Sequence, residues 1–288
     1  MRQNYFNLIS EDTLSSREAM NHLIVLENEK ISGLDCSLKD LMVKYFKEYE
    51  RNSRFPTLDK LEEHIAMRSK TITEKLFFHI ELYNDFLNNI DFARYLEEEE
   101  KVKTLQNHIL FYKKIQVAIL EYNNHEFRKI DDKEVVCEKN AFSRSVSEII
   151  ASDTDNTYEA KLILDYNHFS TSENLNRKRE ILRALANYLE PKRTELNHNL
   201  IKLFSGEVKK LKIIDNLFNK FNSISIRHEN EEQITIQFND KELRQIYDDM
   251  YNTILFLVLS SQQVIIQDRF DKDIKQRIAN QRKRGKSQ

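Results

Sequence analysis

The side chains best equipped for chemistry sit together in one short stretch, Ser225–Ile226–Arg227–His228–Glu229–Asn230. Arg227, His228 and Asn230 place a fixed cation, a group that titrates near neutral pH and an amide within four residues. This is equipment for handling a phosphodiester: a guanidinium grips phosphate through two parallel hydrogen bonds, and an imidazole moves a proton near pH 7. The bland alternative for the same residues is a polar connection in which Arg227 pairs with an acid of a neighbouring helix. Other chemistries fail at the level of motif. The chain has no GxxxxGK[ST] loop, no GxGxxG turn, no GxSxG elbow and no HExxH, which removes the classical NTPase, dehydrogenase, hydrolase and zinc-protease readings.

Metal binding has equally little support. Cys36 and Cys137 are the only cysteines, neither belongs to a CxxC pair, and the eight histidines are scattered. Glu97 to Glu100 form an acidic run, but consecutive side chains on a helix fan around the axis and cannot converge on one ion. Neither a metal nor another cofactor is expected. Charged residues make up 32% of the chain, yet the formal net charge is only −2, so global charge argues neither for nor against nucleic acid. Beyond Asp273 the balance changes: Lys275, Arg277, Arg282, Lys283, Arg284 and Lys286 follow with no acid. Arg277, Arg282, Lys283 and Arg284 are the candidates for holding RNA or DNA, where each neutralised phosphate releases counterions. A basic end on a final helix also offsets the helix dipole, which is the other account of the same residues.

The elements that must position these groups are helices. The 288 residues include only Gly33, Gly206 and Gly285, and only Pro56 and Pro191. Average usage of about 7% Gly and 5% Pro would give roughly twenty and fourteen. Sheet-rich folds need turns with positive φ, which glycine adopts most cheaply, so an all-α protein is expected. Ser15 and Ser16 precede a pattern of Met20, Leu23, Ile24 and Leu26 that ends near Gly33; Ser37 opens another, with Leu38, Leu41, Met42, Tyr45, Phe46 and Tyr49. Thr57 is placed to cap a helix containing Leu58, Leu61 and Ile65. Further helices are expected over 71–90 and, as the longest, over 91–122. The segment 123–155 reads as polar and irregular apart from a helix over 141–150. Helices follow over 159–165 and from Ser172, the latter stopped near Glu190 by Pro191, which lacks an amide and crowds the preceding turn. Two more cover 196–204 and 208–221. Ile234 to Phe238 alternates apolar and polar residues and is the one convincing strand-like segment. A last helix runs from Asp240, and its middle, apolar all round, marks it as the centre of the C-terminal core.

The helix containing Glu190 and Arg193, then the Arg227–Asn230 stretch, then Glu242–Leu243–Arg244–Gln245–Ile246–Tyr247–Asp248–Asp249–Met250–Tyr251, resembles the C-terminal helical modules of bacterial abortive-infection proteins. Those modules look like relatives of the HEPN superfamily. The resemblance covers roughly 172–270 and implies a small antiparallel helical bundle. In many members it also implies a metal-independent ribonuclease that works as a dimer with the two motifs facing one another. It would make Arg227 the phosphate ligand, His228 the general acid or base and Asn230 an orienting amide, with Glu190 and Arg193 supporting them from the facing helix. Attack by a ribose 2′-hydroxyl needs only proton transfer, so no metal enters. The chain departs from the family in one respect: the histidine expected four to six residues after the arginine is absent, Glu231, Glu232 and Gln233 stand there, and His228 follows Arg227 directly. The resemblance therefore supports the bundle more strongly than the nuclease. A second stretch, Tyr45–Phe46–Lys47–Glu48–Tyr49 with Phe55–Pro56–Thr57, Leu58, Leu61 and then 94–120, resembles the N-terminal helical collar of phage replicative helicases. No helicase motor follows, so that likeness implies only an assembly role.

The expected organisation is a helical interaction domain over 1–135, a connecting segment over 136–171, a HEPN-like bundle over 172–270 and a basic tail over 271–288. The expected function is a defence component that cleaves or senses RNA, and the alternative is a non-enzymatic helical adaptor binding a protein through its N-terminal half. RNA, a protein partner or a second copy of the chain are the expected partners. Ile254 to Leu259 is far short of the ~20 residues a membrane helix needs, and the N-terminus lacks a long apolar core, so a cytoplasmic protein without membrane association is expected.

Overall fold

The structure, a computed structural model, describes residues 15–49, 54–92, 96, 98–152, 157–203, 212–224, 226 and 238–284, with backbone alone at 279 and 281–284. The chain divides into two compact units, Met1–Lys139 and Asn140–Gln288. The described residues are mostly helical, with one two-stranded sheet.

The first unit holds α1 (Ser16–Asn28), α2 (Leu38–Tyr45), α3 (Leu58–Arg68), α4 (Ile72–Asn89) and α5 (Glu99–Tyr122). The starts of α1 to α4 follow from polar caps. At α1 the Glu18 amide donates to Ser15 Oγ (3.3 Å) and the Ser15 amide donates back to the Glu18 carboxylate (2.8 Å); Ser37 and Asp40 repeat the device at α2. Each box satisfies amides that the helix itself leaves orphaned. Thr57 caps α3 as expected from sequence, accepting from the Lys60 amide at 3.3 Å, and Thr71 caps α4. Gly33 adopts φ +77° in the connection between α1 and α2. α4 is the central helix of the unit, packed against α1, α3 and α5, and it contributes the fully buried Leu76, Ile80, Tyr83 and Phe86.

Two sequence expectations are corrected here. The expected irregular segment is ordered over its described part, 123–152: β1 (His125–Ile130) and β2 (Lys133–Glu138) form an antiparallel hairpin in register from His125↔Glu138 to Ile130↔Lys133. Its two-residue turn contains Asp131 at φ +59°, and Asn124 (φ +58°) precedes it. Both side-chain types tolerate the left-handed region better than most. The hairpin lies against α4, and Glu81 Oε1 accepts from the Val136 amide at 2.6 Å. The longest helix is also elsewhere: α5 begins only at Glu99 and has 24 residues, against 45 for the last helix. The expected strand near residue 234 falls outside the described residues, apart from Phe238.

The second unit holds α6 (Ala141–Ala151), α7 (Thr157–Tyr166), α8 (Leu175–Leu189), α9 (Arg193–Leu203), α10 (Lys212–Ser223) and α11 (Asp240–Arg284). α8 stops at Leu189, with Glu190 and Pro191 immediately beyond, as the proline requires. One core runs from Val146 and Ile150 on α6 through Ile163, Ile181, Leu185, Leu200 and Phe218 to Met250, Ile254 and Leu257 on α11. Residues 136–171, expected as a connection, therefore contain the end of the hairpin and two helices that belong to this core. α11 packs on α6, α8 and α9, which accounts for its apolar middle. Past Val264 every described side chain on α11 is exposed.

Candidate functional site

Arg227, His228 and Asn230 lie outside the described residues. Their immediate approach is described. Phe218 and Phe221 of α10 are buried, and Ile226, fully buried, returns its amide to the Phe221 carbonyl (3.0 Å). The Ile226 carbonyl accepts from Arg183 Nε of α8 at 2.6 Å. The backbone entering the candidate motif is thus tied to a helix that also carries Arg177, Lys178 and Arg179. Sequence reading missed Arg183, because nothing in the local pattern of α8 distinguishes one helical arginine from another.

The two expected supporting residues, Glu190 and Arg193, both lie among the described residues. Glu190 follows the last turn of α8, its amide donating to the Ala186 carbonyl at 3.0 Å. Arg193 opens α9, donates from Nη2 to Asp215 of α10 at 2.6 Å, and lays its guanidinium 4.8 Å from the Phe218 ring centre. Arg193 thereby ties α9 to α10. Arg277 is exposed on α11; Arg282, Lys283 and Arg284 lie further along the same helix, with side chains beyond description.

The second unit buries one ion pair beside tyrosines. Lys178 of α8, its side chain only 6% exposed, meets Asp248 of α11 at 2.6 Å. The Tyr166 hydroxyl donates to the same carboxylate oxygen at 2.9 Å, and the Lys178 ammonium lies 4.9 Å from the Tyr166 ring centre. Tyr166 stacks on Tyr251 with ring centres 3.9 Å apart, and the Tyr251 hydroxyl donates to the Ile163 carbonyl at 2.6 Å. Burial, with Asp248 adding to it, holds the Tyr166 phenol well above its ordinary range.

The first unit builds a different constellation, from α1, α4 and α5. Glu27 has a side chain 2% exposed. His79 Nε2 donates to Glu27 Oε1 at 2.7 Å, and the Tyr112 hydroxyl donates to the same oxygen. Tyr83, one turn beyond His79 with rings 4.3 Å apart, donates to Glu62 Oε1 at 3.3 Å, and Lys39 grips Glu62 through both oxygens at 2.6 Å. Burial first, then the neighbouring carboxylates Glu27 and Glu62, push the Tyr83 phenol far above its usual value; Tyr112 is raised in the same direction by burial and Glu27. Both phenols are therefore fixed as donors at any ordinary pH. Glu27, His79, Tyr83, Lys39 and Glu62 line a cleft of about 390 Å³, whose apolar wall includes Met20, Ile24 and Ile65. A histidine oriented by a buried carboxylate at the edge of such a cleft has the arrangement used in proton transfer. The same network also satisfies polar groups that would otherwise be orphaned in a helical core. The signal available in sequence was slight: Glu27 and His79 stand at core positions, one turn from Leu23 and from Leu76, where the pattern calls for an apolar residue.

No protein-family model, curated protein or solved structure matches the chain. Among the described residues no cluster of three or more His, Cys, Asp or Glu is placed to hold a metal ion, and no helix is long and apolar enough to cross a membrane.

Proposed function

We propose that the chain is an RNA-directed component of bacterial anti-phage defence whose second unit cleaves RNA without a metal. In this reading Arg227 holds the scissile phosphate, His228 transfers the proton and Asn230 orients the reacting groups. The observation that supports it is the Arg183–Ile226 bond, which ties the residue before Arg227 to the cationic helix α8. Arg193, engaged with Asp215, serves this reading by fixing the helix pair rather than by touching substrate.

The deciding experiment incubates purified protein with total RNA in chelator, beside Arg227→Ala and His228→Ala. Cleavage by the parent and its loss in both variants is the expected result. Equal residual cleavage in all three would assign the activity to a contaminant and remove the ribonuclease reading.

One observation favours a second reading, a helical adaptor that binds a protein through its N-terminal unit. On α5, Leu110 (54% exposed), Phe111 (51%) and Val117 (43%) lie on one exposed side of the helix. Leu110→Glu with Val117→Glu would abolish capture of such a partner and leave RNA cleavage unchanged.

A further inference from the structure

In the first unit α1 and α3 both pack on α4, and the cleft of about 390 Å³ lies between them. That volume falls at the small end of the range of about 300–1,000 Å³ usual for ligand pockets. The α1 bank is apolar, with Met20 and Ile24, and Ile65 and Ala66 continue the apolar surface on α3. Most charges around the cleft are already matched. Lys39 clamps Glu62, Lys60 meets Glu63 at 2.7 Å, and Glu27 accepts from His79 and Tyr112. Two lining charges of opposite sign, Asp59 and Lys75, have no partner among the described residues.

These two stand at opposite ends. Only residues 69–71 join α3 to α4, the connection of an antiparallel helix pair, and the Tyr83–Glu62 bond fixes the register. Lys75 therefore lies at the Ala66 end. Asp59 is seven residues before Ala66, about 10 Å along the helix at about 1.5 Å per residue. Between the two charges sits His79, only 6% exposed, whose Nε2 is committed to a carboxylate that can only accept. Its Nδ1 has no hydrogen-bond partner among the described residues and is not sealed from the cleft. A polar atom on so buried a ring calls for a partner supplied from the cleft itself.

We propose that the cleft binds a short free peptide with apolar side chains, of dipeptide size. The peptide ammonium meets Asp59, the carboxylate meets Lys75, and the central amide meets His79 Nδ1. An amide suits that nitrogen in either protonation state, because its N–H donates to the neutral ring and its carbonyl accepts from the imidazolium. The side chains lie on Met20, Ile24 and Ile65. An extended dipeptide spans about 7 Å, and a charge-assisted contact of about 2.8 Å at each end brings the total to about 13 Å. This suits two charges set a little further apart than Asp59 and Ala66. A diamine would leave one ammonium against Lys75, and a phosphate-rich ligand would face Asp59, each a repulsive pairing. The site is independent of the ribonuclease reading.

Isothermal titration calorimetry of the full chain with leucyl-leucine is the test. One saturable site per chain is expected. Acetylating the peptide amine, amidating its carboxylate, or replacing it by glycyl-glycine should each weaken binding at least tenfold. Lys75→Glu should reverse the preference at the carboxyl end, so that the peptide amide binds more tightly than the free acid. Asp59→Lys should reverse it at the amino end, in favour of the acetylated peptide. Asp59 is exposed and Lys75 only partly buried, and a reversal of preference, unlike a simple loss, cannot arise from unfolding. Absence of saturable binding by both leucyl-leucine and alanyl-leucine would overturn the proposal. So would binding indifferent to capping at either end, or variants that keep the parent's preferences.

Discussion

The two units solve one problem, a polar group inside a helical core, in opposite ways. The first seals a lone carboxylate, Glu27, and surrounds it with donors from helices α4 and α5, His79 and Tyr112. The second pairs a buried cation, Lys178, with a carboxylate that keeps one edge in solvent, Asp248 being 36% exposed. A sealed charge depends entirely on the groups that touch it, whereas a part-exposed one has water in reserve. The first unit should therefore be the more brittle, and substitutions that remove one partner at a time measure the difference.

The largest effect is expected for Glu27→Ala, which leaves two buried donors without their acceptor. It should cost about 3–5 kcal/mol, the range for removing one member of a buried charged network, read as a lowered urea midpoint with loss of hydrogen-exchange protection in α1, α4 and α5. Lys178→Met should cost less, about 2 kcal/mol, because solvent compensates Asp248. Protection would then fall in α8 and the first half of α11, leaving the first unit unaffected. A larger loss for Lys178→Met than for Glu27→Ala would reverse the comparison.

Alkaline titration sharpens it. Tyr83 and Tyr112 have raised pKa values in the folded state, so they bind protons more tightly there than in the unfolded chain. Their contribution is complete below the unfolded phenol value of about 10 and is lost as pH climbs above it, at about 1.4 kcal/mol per pH unit for each tyrosine. Tyr112→Phe should flatten the fall of first-unit stability above pH 10 by that slope, and should itself cost about 2 kcal/mol at neutral pH through one lost bond to a carboxylate. Thermal unfolding at a series of pH values reads both. The smallest effects should be alike in the two units: Thr71→Ala at α4 and Asn140→Ala at α6 each remove one helix cap, for about 1 kcal/mol, measured by denaturant unfolding.

Much of the helical framework was legible, because helix starts are announced locally. Ser15, Ser37, Thr57 and Pro191 act within three or four residues, and the structure uses all four as their chemistry dictates. The hairpin was not legible. Its strands, HEFRKI and KEVVCE, carry charges on both faces, and Asp131–Asp132 lacks the glycine that usually marks so tight a turn. The constellation in the first unit was hidden for another reason. His79 and Tyr112 are 52 and 85 residues from Glu27, and no local spacing encodes a meeting of three helices. The Arg227–His228 stretch is the reverse case, conspicuous by composition alone, with Arg183 supplying the anchor that its own neighbourhood could not reveal.

The bond between Glu81 and the Val136 amide has a consequence for the behaviour of the protein at high concentration. A two-stranded ribbon offers an unsatisfied backbone row on each side, a template for recruiting further strands into fibres. With a helix-borne carboxylate already occupying the amide midway along β2, an incoming strand on that side must displace a charge-assisted bond before it can add its own. Glu81→Ala would open that row, and slow fibrillation under agitation, followed by dye binding, is where the exposure would register.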